Sequence, residues 1–308
     1  MAQRMTSDEV KALFEKCSNW GRWGADDQRG ALNFITEKNR AQAGRLVQRG
    51  ETVSCALPLA VLPAADNPTP VTHLMVQAGL DAMAEDLPYA GDYFAIAPHG
   101  LANTHLDALC HIFWDGKMYN GFDAAEVGSH GAKKCAIDVT REGVISRGVL
   151  LDIPKIKKVE WLENGERIYP EDLDAAEKDH RITVGEGDVL LIRTGRARRR
   201  KVKGGWDVWR EGLPGLDVSC LKWLHERKIA VLGSDGASDV SPSGWPDMPL
   251  PVHVGTLVFM GVHLIDNADL DSLSSTCLRL SRYEFMLAMA PLILERGTAS
   301  PVNPIAIF

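Results

Sequence analysis

No run of about 18 apolar residues occurs in this chain, so no helix is expected to cross a membrane. Its first residues, MAQRMTSDEVKALFEKC, lack the apolar centre of a signal peptide. Cysteine is sparse and scattered. Cys17, Cys55, Cys110, Cys135, Cys220 and Cys277 form no C-x-x-C pair, which in 308 residues reads as reduced thiols in a cytoplasmic protein. Cys110 precedes His111 and invites a nucleophile reading, but a small buried apolar residue is the plainer one. Positive charge is also short. Against 41 acidic side chains stand 34 Lys and Arg, for a net charge of −7. That balance opposes a nucleic-acid partner, which needs a basic face. Internal repeats and long low-complexity linkers are missing too. One domain over 1–308 is therefore expected, with 1–50 as a helical N-terminal extension.

What is present is ordinary globular material, 45% apolar and 24% charged. Thr6 and Glu9 make a capping box, and Val10, Leu13, Phe14 and Cys17 then share one helical face. A Gly-, Trp- and Asp-rich stretch, NWGRWGADDQRGALNFIT (19–36), is too irregular for a helix. Thr36 caps a second helix ending at Gly50. Short β-branched and apolar runs follow at Thr52–Leu59, Val71–Val76, Tyr93–Ala97, Gly148–Ile153, Val189–Arg193 and Ile229–Ser234. Helices are expected near Pro170–Lys178 and Val218–Arg227, the second capped by Asp217, and again over Val252–Met260, stopped by Gly261. Val262–Ile265, Tyr283–Ala290 and a stretch near Ile305 read as further strands. Regular βα alternation is absent, so the class is α/β or α+β with a mixed sheet. The basic run Arg193–Lys203 reads as a solvated loop at a strand end.

The chemically informative stretch is HGLANTHLDALCHIFWDGKMYNG, residues 99–121. On an extended strand His105 and Asp107 place both side chains on one face. His111 follows four residues on, and His99 lies six residues before His105. Imidazoles with a carboxylate suit zinc, manganese or iron(II), whereas calcium and magnesium prefer all-oxygen shells. Such a set leaves a metal Lewis-acidic and lowers the pKa of bound water. A nearby histidine outside the ligand set can move the proton.

These residues stand in a pattern that resembles the signature of the cyclase family of metal-dependent hydrolases, which includes bacterial kynurenine formamidase and isatin hydrolase. T-H-L-D-A-L-C-H matches the second half of H-x-G-x-H-x-D-x-x-x-H. NWGRWGADDQRGALNFIT (19–36), GDVLLIRTG (187–195), SDGASD (234–239), LPVHVGTLVFMGVHLIDN (250–267) and APLILERGTASPVNPIAI (290–307) look like segments of that family's longer branch. The resemblance implies an α/β, swivelling β/β/α cyclase-like fold, with a mixed central sheet or barrel and peripheral helices, and a homodimer or homotetramer. It also implies that His105 and Asp107 are ligands of a first metal, that Asp107 bridges to a second, that His111 is the general acid/base, and that His253 is a second-site ligand. Asp266 falls where the family has a glutamate. One or two zinc or manganese ions are the implied cofactor. Two positions depart from the pattern: Leu101 replaces the first signature histidine and Asn103 the glycine. His99, two residues back, keeps the strand parity of Leu101 and is expected to replace the missing ligand.

The implied reaction is hydrolysis of the carbon–nitrogen bond of a small cyclic or aryl amide by metal-bound hydroxide. Lactone hydrolysis, a metal-dependent lyase or dehydratase, and a non-catalytic ligand-binding member remain as alternatives. N-formylkynurenine is not the expected substrate, because this chain is longer than the compact formamidases. Trp20 and Trp23 are candidates for an aromatic pocket or for reaching a partner subunit, and a packed loop explains them equally. Phe113, Trp114 and Tyr119 are candidate pocket walls, with core packing as the rival reading. Asp235, after a strand end, is a candidate to touch substrate or orient a ligand histidine, against plain turn chemistry.

Overall fold

A computed structural model describes residues 5–83 and 89–308. Its centre is a nine-stranded mixed sheet. In chain order the strands are β1 (Thr52–Ser54), β2 (His105–Asp107), β3 (Val144–Asp152), β4 (Val189–Arg193), β5 (Val231–Ser234), β6 (His263–Asp266), β7 (Glu284–Met289), β8 (Ala299–Pro301) and β9 (Ile305–Ile307). Across the sheet the order is β1-β9-β7-β3-β4-β5-β6-β2-β8. The pairs β3/β4, β4/β5 and β5/β6 are parallel, and antiparallel pairs extend the sheet at both ends.

Sequence explains the parallel centre. Strands covered on both faces read as continuous apolar runs, and every residue of β4 and β5 is buried. Helices Glu37–Gly44 and Pro170–His180 lie against β3. Helix Ser7–Lys16 carries the expected capping box and packs against helix Cys220–Arg227. All six cysteines are free and buried.

Three expectations are corrected. Of the run Thr52–Leu59, only Thr52–Ser54 is strand, because the chain then turns its hydrogen bonds to loops. The Cys55 N–H donates to Pro304 and the Leu57 N–H to the Thr104 hydroxyl. The segment Val252–Met260 is not a plain α-helix. One turn, Pro251–His253, runs into a wholly buried π-helix, Val254–Met260. Gly261 does stop it, at φ 64°, where a Cβ would sit 2.5 Å from the Tyr119 ring.

The third correction concerns the basic run. Arg196–Lys203 is a helix and not a loop, and its first residue is buried. The Arg196 side chain is only 1% exposed and donates to the Leu101 carbonyl at 2.8 Å. Asp66, fully buried, pairs with Arg196 at 3.3 Å and takes a two-pronged contact from Arg200 at 2.6 and 2.9 Å. Internal pairing thus accounts for Arg196 and Arg200, while Arg198, Lys201 and Lys203 remain on the solvated side. Removing one partner of a buried ion pair strands the other charge, at a cost of about 3–5 kcal/mol. Asp66→Ala is therefore expected to lower unfolding stability by about that amount, read from the denaturant midpoint. A change below about 1 kcal/mol would show that this pairing does not anchor the helix.

Candidate metal centre

Four segments build the site. In β2, Leu106 points into the core while His105 and Asp107 share the opposite face. Antiparallel pairing with β6 sets Asp266 directly opposite His105. Same-face residues in such a pair lie close enough for their side chains to meet. A ligand atom from each of His105, Asp107 and Asp266 accordingly lies within 4.8 Å of the others. His253 enters from the turn before the π-helix, its Nε2 3.5 Å from Asp266 and 3.9 Å from Asp107. π-Helical segments recur at functional sites, because the widened turn displaces side chains from α-helical positions.

His99 arrives from a loop and not along the strand whose parity suggested it. Gly100 there adopts φ 138°, open to glycine but strained for other residues. Its carbonyl accepts from the Asn267 side chain at 2.7 Å. The turn brings His99 Nδ1 to 2.9 Å from Asp107 Oδ1, with Nε2 3.0 Å from the Thr298 hydroxyl. Leu101, where the signature has histidine, instead packs with Trp206, Val208 and Leu213. His111 stacks on His99, with ring centroids 3.6 Å apart, and groups with His99 and Asp107 as a second possible ligand triad. Asp107 is common to both triads.

Burial strains this cluster electrostatically. It opposes ionisation of Asp107, but neighbouring His105, His99 and His111 outweigh it and hold the carboxyl well below its ordinary range. Burial likewise opposes protonation of His105, yet Asp107 and Asp266 lift its pKa to about 9. His111 goes the other way, pushed down to about 4 by burial and by His99 and His253. Both oxygens of Asp107, one of Asp266 and Nδ1 of His99 are buried without a well-aligned hydrogen bond, although ring nitrogens of His99 and His105 come within 2.9 and 3.3 Å of Asp107 Oδ1. Orphaned polar atoms of this kind are rare in folded proteins and ask for a ligand. Their donor set is imidazole and carboxylate, which fits a divalent transition metal.

Asp239 was not singled out as the orienting residue by the sequence. It accepts from the backbone N–H groups of Val252 and His253 at 2.6 and 2.9 Å, and lies 2.6 Å from His253 Nδ1. A carboxylate on one ring nitrogen aims the other, Nε2, at the cluster. The turn residues Ser234–Asp239 were the available signal, but only the fold tells Asp239 from Asp235. Asp235 is a correction. Its oxygens are taken by Thr194 and Gly195 at the end of β4, and it does not line the cleft.

The expected aromatic wall is also corrected. Trp20 stacks on Phe259 and donates to the Val258 carbonyl. Trp23 packs edge-on to Phe34, and Trp114 edge-on to Phe14. Tyr119 is buried and donates to Asp27, and Phe113 is partly exposed away from the cleft. All of these but Phe113 hold the N-terminal segment down, and the cleft wall is built instead by Leu101, Val208, Trp209, Leu213 and Leu250.

The family model described as "Putative cyclase" matches residues 47–239. Isatin hydrolase of Roseibium aggregatum is 27% identical over 225 residues, covering 71% of this chain and 75% of that protein. A crystal structure described as a novel cyclase superposes with a TM-score of 0.86 at 32% identity, covering 94% of this chain and 99% of that one. Isatin hydrolase A from Labrenzia aggregata, bound to benzyl benzoate, superposes with a TM-score of 0.60 at 19% identity, covering 88% and 98%. The cyclase-like fold expected from the sequence is therefore present.

Substituting an outer partner of a metal-ligating histidine typically weakens metal binding about 10–100-fold. Asp239→Asn is expected to do so for zinc or manganese, measured by chelator competition. Unaltered affinity would deny Asp239 its orienting role.

Proposed function

The chain belongs to the cyclase family of hydrolases, and we propose that it cleaves the carbon–nitrogen bond of a small cyclic or aryl amide with one or two zinc or manganese ions held around Asp107. The observation that carries this reading is the buried Asp107 carboxylate, faced by His99, His105, His253 and Asp266 at one end of a cleft whose other walls include Leu101, Val208, Trp209, Leu213 and Leu250. His99, His105, Asp107, His253 and Asp266 are the residues that would hold the metal. When bound, such an ion polarises a carbonyl and lowers the pKa of water.

The chain's own residues supply the rest. Leu101, Leu213 and Leu250 exclude water from the carbonyl and leave the substrate's flat face in apolar surroundings. Asp239 fixes the His253 ring. His111, at the edge of the cluster, takes the proton from the attacking water and delivers it to the leaving nitrogen. A C–O bond forms as the C–N bond breaks, giving a carboxylate and an amine. Lactone hydrolysis differs only in the leaving atom.

A specific observation favours a second reading of His111. It groups with His99 and Asp107 closely enough to serve as a ligand itself. Elemental analysis of the parent beside His99→Ala and His111→Ala separates the roles. Expected are about one or two equivalents in the parent, a loss in His99→Ala, and retained metal with a 10²–10⁴-fold fall in turnover in His111→Ala. Metal lost from His111→Ala would make it a ligand. A parent that takes up no zinc or manganese after reconstitution would defeat the reading.

Self-association is proposed as well. The ribbon Thr72–Gln77 with Gly91–Ala95 stands outside the main sheet and exposes Leu74, Met75, Val76, Tyr93 and Phe94. Contiguous apolar surface of that kind marks an interface. Light scattering behind gel filtration should give a dimer or tetramer, and a monomer at micromolar concentration would contradict it.

A further inference from the structure

The cleft above the histidine–aspartate cluster encloses about 160 Å³. A second space of about 210 Å³ adjoins it, and the two share His99, Gly100, Leu101, Val208 and Trp209. Neither by itself reaches the ~300 Å³ at which pockets for drug-sized ligands begin, so a larger ligand would have to lie across both. The shared ridge is anchored from behind. Leu101 packs on Val208 and Leu213, and its carbonyl is held by the buried Arg196. Trp209, on the short helix Val208–Glu211, is 74% exposed, so its indole is free to lie against a ligand that crosses the ridge.

Charge narrows the occupant. Neither Lys nor Arg lines either space. The ionisable side chains of the second space, besides the shared His99, are Asp66 and Asp207, and Asp66 is already paired with Arg196 and Arg200. Asp207 is paired with Arg210, so both acids are engaged and no cation lines the space to meet an anionic group, while an apolar ring would meet Pro68, Ala97 and Trp209 beside the uncharged Asn67, Thr69 and Asn103.

We propose that the second space is a subsite for a neutral apolar ring of the substrate, and that Trp209 is the residue that determines this specificity. The substrate class is then a neutral aryl amide carrying a second ring beyond the scissile bond, larger than a single fused bicycle. The class rests on the hydrolase reading, whereas the subsite stands on binding alone.

Titration calorimetry on the protein as purified, with three non-hydrolysable ketones, tests it. 4-Acetylbiphenyl is expected to bind at least about tenfold more tightly than acetophenone, a difference of about 1.4 kcal/mol. 4-Acetylbenzoate should bind no more tightly than acetophenone. In Trp209→Ala, the biphenyl preference should fall to within about twofold. Equal affinities in the parent, a preference that survives Trp209→Ala, tightest binding of 4-acetylbenzoate, or no binding of any ketone would each overturn the proposal. Hydrolysis of formanilide and 4-phenylformanilide is followed in parallel. Absence of hydrolysis with the biphenyl preference intact would count against the amidase reading and leave the subsite standing.

Discussion

The Asp107 carboxylate is out of water, met only by the ring nitrogens of His99, His105 and His253, and much of the structure is arranged around that cost. A buried anion is tolerated only when opposite charge lies close to it. Three different segments meet that demand: the His99 loop, β2 itself through His105, and the turn that carries His253. A shift in any of them would remove part of that compensation. The sheet supplies the rigidity this needs, because β2 is hydrogen-bonded on both sides, to β6 and β8. Stability comes from elsewhere, chiefly the buried parallel strands, and that leaves the site free to hold unsatisfied groups.

Loss of the signature histidine at position 101 illustrates how a site survives a changed sequence. His99 reaches the same carboxylate because Gly100 adopts a backbone conformation that a side chain would resist. Leucine at 101 is then released to the apolar ridge, tied through its carbonyl to Arg196. One local arrangement thus links the histidine–aspartate cluster, the cleft wall and the buried Arg196–Asp66–Arg200 group. The helix that follows β4, read by composition as a solvated patch, is part of the same support.

The sequence by itself put His105 and Asp107 together and outlined most of the elements around them. His105 and Asp107 could be placed on one face because strand parity is local geometry. The capping box at Thr6, the apolar β4 and β5, and the stop at Gly261 were legible for the same reason. The family pattern added His253 and Asp266, which no local rule connects to β2. Only the tertiary structure decided the rest. Whether Asp235 or Asp239 faces His253 depends on which N–H groups the β4 end and the turn at 252 present. Whether Trp20, Trp114 and Tyr119 or Trp209 and Leu213 wall the cleft depends on packing between segments far apart in the chain. Aromatic side chains carry the same signal for a core and a pocket, because both are apolar, and only the arrangement of the surrounding chain separates the two.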